Sequence, residues 1–142
     1  MNDLIVSFRR MPWPLRVFTL LSLMSVLLVA ATVVPGGAVV GQKKVGAGDW
    51  WINGSGLVFA VAVSFFFSAG ILLLKARRLG RLVYISGVAG FYVAGHVIER
   101  INGVSYSRDD YFYDLLFAAL QIAALSAYFF LSRRVKNFLA TS

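Results

Sequence analysis

Residues 50–74 read WWINGSGLVFAVAVSFFFSAGILLL, twenty-five consecutive residues without a charged side chain. A helix of about 20 apolar residues crosses the hydrocarbon core of a lipid bilayer. The two tryptophans at the start of the stretch are amphipathic rings typical of the membrane–water interface. The stretch therefore predicts a transmembrane helix over residues 52–74.

Three further apolar stretches of similar length surround this one. No charge occurs between Arg16 and Lys43, and the run is broken by Pro35 and the two glycines that follow it,. The four predicted spans are residues 17–37, 52–74, 82–100 and 111–132. Residues 38–49 show neither helical nor strand periodicity and are predicted to form a loop. The sequence thus predicts an all-α, integral membrane four-helix transmembrane bundle with short loops, in a single domain covering residues 1–142.

The charges are distributed unevenly between the two sides of this bundle. The chain has 14 Lys and Arg against six acids, and the basic clusters flank the apolar stretches, which favours contact with lipid headgroups over nucleic-acid binding. If the amino terminus is cytoplasmic, that side holds ten cations and the other four. The ten are Arg9, Arg10, Arg16, Lys75, Arg77, Arg78, Arg81, Arg133, Arg134 and Lys136. We therefore expect both termini in the cytoplasm (N-in/C-in) and the protein in a bacterial inner membrane.

The composition also limits the chemistry that the chain can perform. Hydrophobic residues make up 59% of the chain and charged residues 14%, against about 25% charged in an ordinary soluble domain. The absence of cysteine excludes disulfides and thiolate metal ligands, and a single histidine excludes a haem held by two histidines. We expect no cofactor and no metal.

Small residues recur at every fourth position in three of the predicted helices. Residues four apart lie on one helix face, and small residues there let helices approach closely in lipid. These stripes are Gly56, Ala60, Ser64 and Ser68; Ser86, Gly90 and Ala94; and Ala119, Ala123 and Ala127. We expect them to pack within the chain, with a homo-oligomer or partner seam as the alternative. The first predicted span lacks such a stripe, so we expect it at the periphery.

Ionisable and amide side chains inside a membrane are costly and mark candidate functional positions. Gln121 lies near the predicted midplane, where an interhelical hydrogen bond is its simplest role. The one histidine, His96, shares a helix face with Tyr92 and Glu99,.

Two acids of the next predicted helix extend this candidate site. We expect Asp110 and Asp114 to join Tyr92, His96 and Glu99 in a polar cluster that opens to the outer side. Such a cluster can hold or pass a proton, and a structural hydrogen-bonded histidine is the alternative interpretation. A single His-x-x-Glu differs from the paired Glu-x-x-His motifs of di-iron bundles, so the cluster predicts no metal site.

The chain has short loops, no soluble domain, no repeated half and no charge deep in a predicted span. In size and topology it resembles small bacterial inner-membrane proteins such as the four-helix immunity proteins that protect against pore-forming toxins, and this resemblance implies an interaction role. We expect a non-catalytic interaction or accessory subunit that docks on a partner in the membrane. The alternatives are a small oligomeric transporter or channel and a membrane enzyme acting on a lipid or isoprenoid.

Overall fold

The computed structural model describes residues 2–105 and 107–140. It is mostly helical, with a two-stranded hairpin and a π-helical turn at Thr32–Gly36. The elements are α1 (Asn2–Arg10), α2 (Trp13–Met24), α3 (Val26–Ala31), β1 (Ala38–Val40), β2 (Lys43–Val45), α4 (Ala47–Ile52), α5 (Ser55–Leu74), α6 (Leu79–Ile101), α7 (Arg108–Leu131) and α8 (Arg133–Ala140).

Within the described residues, four helical segments are long and apolar enough to cross a membrane, which confirms the prediction of four such helices. They are Trp13–Val34, Ser55–Leu74, Leu79–Ile101 and Arg108–Leu131. Successive segments are antiparallel, so α1, α8 and the α5–α6 turn meet at one end, which we call the basic end. The opposite end carries the β-hairpin and is called the hairpin end.

The first long segment is interrupted rather than continuous. The hydroxyl of Ser25 donates to the carbonyl oxygen of Ser22 at 2.6 Å, at the boundary between α2 and α3. The segment ends in the π-helical turn, where Val34 is extended (φ −136°, ψ 116°). Gly37 follows with φ +84°, and a β-carbon on it would lie 2.3 Å from the carbonyl oxygen of Val45, so a side chain could not be accommodated there. The predicted break at Pro35 and the two glycines that follow it is therefore confirmed.

The prediction of a plain loop over residues 38–49 is wrong. Strands β1 and β2 pair antiparallel, with Val40 opposite Lys43, and Gly41 takes φ +60° at the first turn position, as two-residue hairpin turns favour. Val40 and Val45 pack with Trp50 and Ile98 in a small cluster under the hairpin. Trp50 is 3% exposed, so it lies inside the protein and not on its surface.

The main core lies at the basic end, where the first, third and fourth long segments meet around aromatic rings. The ring centroid of Phe129 lies 5.2 Å from that of Tyr84 and 6.0 Å from that of Phe18. The buried members of this core are Met11, Leu15, Ala69, Leu73, Ala76, Tyr84, Val88, Phe129, Val135, Phe138 and Leu139. These tightly packed rings fix the basic end of α7 against its neighbours.

The helices do not pack through most of the small residues expected to form seams. Of the ten predicted residues the structure buries Gly56 and Ala94, half-buries Ala60 and Gly90, and leaves six exposed. The exposed six are Ser64, Ser68, Ser86, Ala119, Ala123 and Ala127.

The contacts between α5 and α6 instead follow a spacing of seven residues. Gly80 of α6 lies against Leu73 of α5, and Gly87 lies against Phe66, so both contacting residues step by seven; Ala94, seven residues after Gly87, is also buried. A seven-residue repeat keeps one seam facing its neighbour when helices cross at a shallow left-handed angle. The correct pattern was therefore a heptad, not a step of four.

Alanine substitution is expected to have opposite effects on stability at two glycines of α6. A β-carbon on Gly80 would lie 2.9 Å from the backbone nitrogen of Leu73, whereas one on Gly90 would meet no atom within 4 Å. We expect Gly80→Ala to destabilise the protein by about 1–3 kcal/mol through overpacking, and Gly90→Ala to stabilise it by up to about 1 kcal/mol through helix propensity. Reversible unfolding in SDS–detergent mixtures measures both, and equal effects of the two changes would contradict this packing.

The prediction that the first long segment is peripheral is also wrong. Leu15, Thr19 and Ser22 are fully buried on α2, and Ser22 faces Gly70 of α5. The fourth long segment has the smallest buried share, 11% of its most apolar window against 22–28% in the other three. The outer helix of the bundle is therefore α7.

Two short terminal helices close the basic end and were not predicted. The hydroxyl of Ser7 in α1 donates to the carbonyl oxygen of Leu74 at 2.7 Å. In α8 the apolar residues Val135, Phe138 and Leu139 are buried, while its three cations, Arg133, Arg134 and Lys136, are exposed. Both helices are thus amphipathic and lie on the ends of the long segments.

Candidate functional site

The candidate polar cluster lies at the hairpin end, between the last turns of α6 and the first turns of α7. His96 precedes the end of α6 by five residues, and the antiparallel α7 brings its own start alongside. The ring of Tyr111 stacks on His96, with centroids 4.7 Å apart and planes 16° from parallel. This stacking fixes the orientation of the imidazole.

The two nitrogens of His96 face two different carboxylates. Nδ1 lies 3.2 Å from Oε2 of Glu99 on α6, and Nε2 lies 3.3 Å from Oδ2 of Asp114 on α7. A neutral imidazole has one N–H, whereas the imidazolium has two. Both contacts are therefore hydrogen bonds from donor to acceptor only when His96 is protonated or one carboxyl group carries the proton. The three groups form a chain that can hold one proton in several positions.

The cluster is partly enclosed. The side chains of His96 and Glu99 are 25% and 23% exposed, and that of Asp114 is 48% exposed. Partial removal of water strengthens attraction between opposite charges. Asp114 forms the open side of the cluster.

Asp110 does not join this cluster, so that part of the prediction is wrong. Its carboxylate accepts hydrogen bonds from the Ser107 hydroxyl at 2.7 Å and the Ser107 amide at 3.3 Å. In return the Ser107 hydroxyl accepts from the Asp110 amide at 3.2 Å. This capping box begins α7 at Arg108, three residues before the predicted start,.

Tyr92 and Gln121 form a second polar link one turn further into the bundle. The Tyr92 hydroxyl donates to Oε1 of Gln121 at 2.7 Å. The predicted interhelical hydrogen bond of Gln121 is thus present, and Tyr92 belongs to it instead of to the His96 group. Together the two sets hold α7 to α6 along the half of α7 that lies far from the aromatic core.

The geometry does not favour a metal ion at His96. The ring nitrogens point in opposite directions, so the imidazole separates the carboxylates and an ion can reach only one of them beside a ring nitrogen. Among the described residues no group of three or more His, Asp and Glu side chains is arranged to hold a metal ion.

Two clefts border the cluster on either side of one ridge of α6. The smaller, about 230 Å³, is lined by Tyr92, His96 and Asp114 together with the ridge. The larger, about 350 Å³, lies under the hairpin and is lined by apolar groups including Trp50 and Phe59. Phe91, Gly95 and Glu99 form the ridge and line both clefts.

A network of hydrogen bonds around Asn102 holds the hairpin end together and was not predicted from the sequence. Nδ2 of Asn102 donates to Oγ of Ser55 at 2.9 Å, and Nδ2 of Asn53 donates to Oδ1 of Asn102 at 3.1 Å. The ammonium of Lys43 donates to the Asn102 carbonyl oxygen at 3.2 Å. Because Asn102 is 8% exposed, these bonds satisfy a buried amide. They join partners 47 to 59 residues apart in the chain, a separation that no local pattern reveals.

Comparison of the chain with models of known protein families, with curated proteins and with solved structures finds no match.

Proposed function

We propose that this chain is an integral membrane protein of a bacterial inner membrane, with both termini cytoplasmic, that docks on a partner protein within the bilayer and performs no catalysis. Four helices of sufficient length and apolarity support the membrane location,. The basic end carries ten of the 14 Lys and Arg, which supports a cytoplasmic orientation of that end.

The single observation that carries the docking role is the outward-facing small residues of α5, α6 and α7. In lipid, small residues at a four-residue spacing let a second helix approach closely. Ala119, Ala123 and Ala127 are all exposed on α7, the helix that its own chain covers least. Since the chain does not use this stripe, a helix of another membrane protein is the occupant that we propose for it.

Single cysteines test this proposal cleanly because the sequence contains none. We expect Ala123→Cys to form a disulfide or a bifunctional cross-link with a partner in the native membrane. Ala124→Cys is the matched control, since it makes the same substitution at the same depth, about 100° around the helix, on an exposed position. The mass of the cross-linked product distinguishes a foreign partner from a second copy of the chain.

Two results would count against docking at this stripe. One is equal cross-linking at residues 123 and 124, which indicates random collision. The other is an intact complex, extracted in mild detergent, whose mass is that of one chain alone. A product with twice the mass of the chain replaces the foreign partner with a homo-oligomer.

The His96 cluster favours a second candidate function, a small transporter that assembles as an oligomer. Three ionisable groups that can share a proton lie beside two clefts, and ionisable groups inside membrane helices often form proton relays. This function requires His96 itself, whereas docking through the alanine stripe does not. Flux measurements on a His96 variant therefore separate the two candidates.

A further inference from the structure

Two arginines from opposite ends of the chain line one cleft at the basic end. Arg10 is the last residue of α1 and Arg134 lies in the first turn of α8. The cleft has a volume of about 440 Å³, and Pro12, Asn137 and Phe138 complete its lining. Two guanidinium groups and an amide beside an apolar wall are suited to a phosphate ester with an apolar portion.

The fold brings these two arginines to one cleft although they are 124 positions apart in the sequence. The hydroxyl of Ser7 ties α1 to the end of α5, and Met11, just after α1, is 2% exposed. Val135 and Leu139 are 0% and 2% exposed and fix α8 in the same core. The cleft is therefore built by buried contacts and not by a chance approach of two surface side chains.

The charges around the cleft favour an anion. The described segments that meet at the basic end, residues 2–16, 75–81 and 132–140, contain ten Lys and Arg and a single acid, Asp3. Like charges at such density repel one another, and a bound anion relieves that repulsion. Arg16, six residues after Arg10, donates to the backbone carbonyls of Met11 and Arg9, whereas Arg10 and Arg134 line the cleft.

The position of the cleft identifies the source of the anion. Pro12 directly precedes the first long segment, and Arg134 follows the end of α7 by three residues. Trp13 is 73% exposed beside the cleft, as expected of an aromatic anchor at headgroup depth. A bilayer around the long helices therefore places its phosphates at the level of the two arginines.

We propose that this cleft is a binding site for the phosphodiester headgroup of an anionic phospholipid. Arg10 and Arg134 bind the phosphate oxygens, Asn137 donates to the headgroup, and Pro12 and Phe138 contact its apolar portion. The inference rests on the proposed membrane location but not on the proposed docking partner. It adds a specific lipid site to the general attraction between basic loops and a membrane surface.

Lipid binding to the full chain in detergent micelles tests the site. Native mass spectrometry counts bound phosphatidylglycerol, with phosphatidylcholine at the same concentration as the neutral comparison. We expect retention of phosphatidylglycerol and a drop in its affinity on the order of tenfold in Arg10→Gln/Arg134→Gln. The matched control is Arg9→Gln/Arg133→Gln, which removes the same charge from the same two helices outside the cleft and should retain the lipid.

Equal losses in the two double variants would overturn the site, because binding would then depend on net charge alone. Inorganic phosphate is added in a separate arm and should neither displace the lipid nor bind by itself. Displacement at equal concentration would assign the cleft to a soluble anion and overturn the lipid proposal. The thermal midpoint of each variant in phosphatidylcholine confirms that it is folded. These measurements use the isolated chain, so a failure of the cross-linking test leaves their outcome unaffected.

Discussion

Replacing Phe129 by alanine is expected to lower the free energy of unfolding by about 3 kcal/mol, the largest stability effect that we expect of a single substitution in this chain. The ring is 0% exposed and lies against Phe18 of the first long segment and Tyr84 of the third. Its removal leaves a cavity where three helices meet, and backbone hydrogen bonds within each helix prevent the walls from closing over it. SDS titration in detergent micelles, followed by circular dichroism, measures the change.

Phe117→Ala is the matched control on the same helix. Its ring is 61% exposed, so its loss removes contacts with detergent or lipid and opens no internal cavity. We expect a change below about 0.5 kcal/mol. A similar cost at both positions would mean that α7 does not pack through Phe129 and that the order of helices in the core is wrong.

The core illustrates what the sequence could and could not predict. The four long helices were predictable because an uncharged run such as residues 55–74 has few other stable conformations. Their packing faces were not, since Ala60 and Ala62 are equally small and only the second is buried. The spacing of Gly80, Gly87 and Ala94 carried the correct signal, a repeat of seven. That signal becomes decisive only when the crossing angle of the helices is known.

The polar cluster was predicted in part for a similar reason. The contact of His96 with Glu99 follows from the period of a single helix, and the pairing with Asp114 requires only that the next helix return antiparallel. The prediction wrongly placed Asp110 in the cluster, although the sequence around it shows the pattern of a helix cap. Ser107 followed three residues later by an acid is the signature of a capping box, and that signature specifies the helix start in preference to a site.

The β-hairpin and the cleft at the basic end show the limit of what local sequence patterns can predict. Gly41 sits between two short valine-containing segments, a turn signal too weak by itself to predict strands of three residues. The cleft depends on Arg10 and Arg134, which are brought to the same cleft by the docking of two terminal helices on a core that the sequence does not display. The hydropathy of the sequence does not predict α1 and α8, because each helix has few apolar residues and several charged ones.

The hairpin-end halves of α6 and α7 are expected to be held together by the contacts of His96. Its two nitrogens lie 3.2 Å from Glu99 and 3.3 Å from Asp114, so the imidazole joins a carboxylate of α6 to a carboxylate of α7. Without the imidazole the two carboxylates lose this common partner. The groups that face the imidazole are Glu99 from α6 and Asp114 and Tyr111 from α7.

The variant His96→Phe is expected to loosen this contact between α6 and α7. Phenylalanine retains a ring that can stack on Tyr111 and eliminates both nitrogens. We expect the free energy of unfolding to fall by about 1–2 kcal/mol, a modest loss because water around the exposed Asp114 weakens its attraction to His96. Spin labels on cysteines introduced at the exposed residues Ile101 and Phe112 report the distance between the two helices. We expect a narrow distance distribution for the parent chain and a broad one for the variant.

Tyr92→Phe is the control, since it breaks the hydrogen bond to Gln121 and leaves the three ionisable groups in place. It should retain the narrow distance distribution, and a His96→Phe chain that retains it as well would show that the cluster does not hold the two helices together. Proton-driven flux in proteoliposomes then distinguishes two possible roles of the His96 cluster. A proton relay predicts that proton-driven flux in proteoliposomes falls in His96→Phe to the level of protein-free vesicles. A structural latch predicts altered distances and no flux in either chain, because a proton shared among His96, Glu99 and Asp114 would then serve only to hold α7 in place.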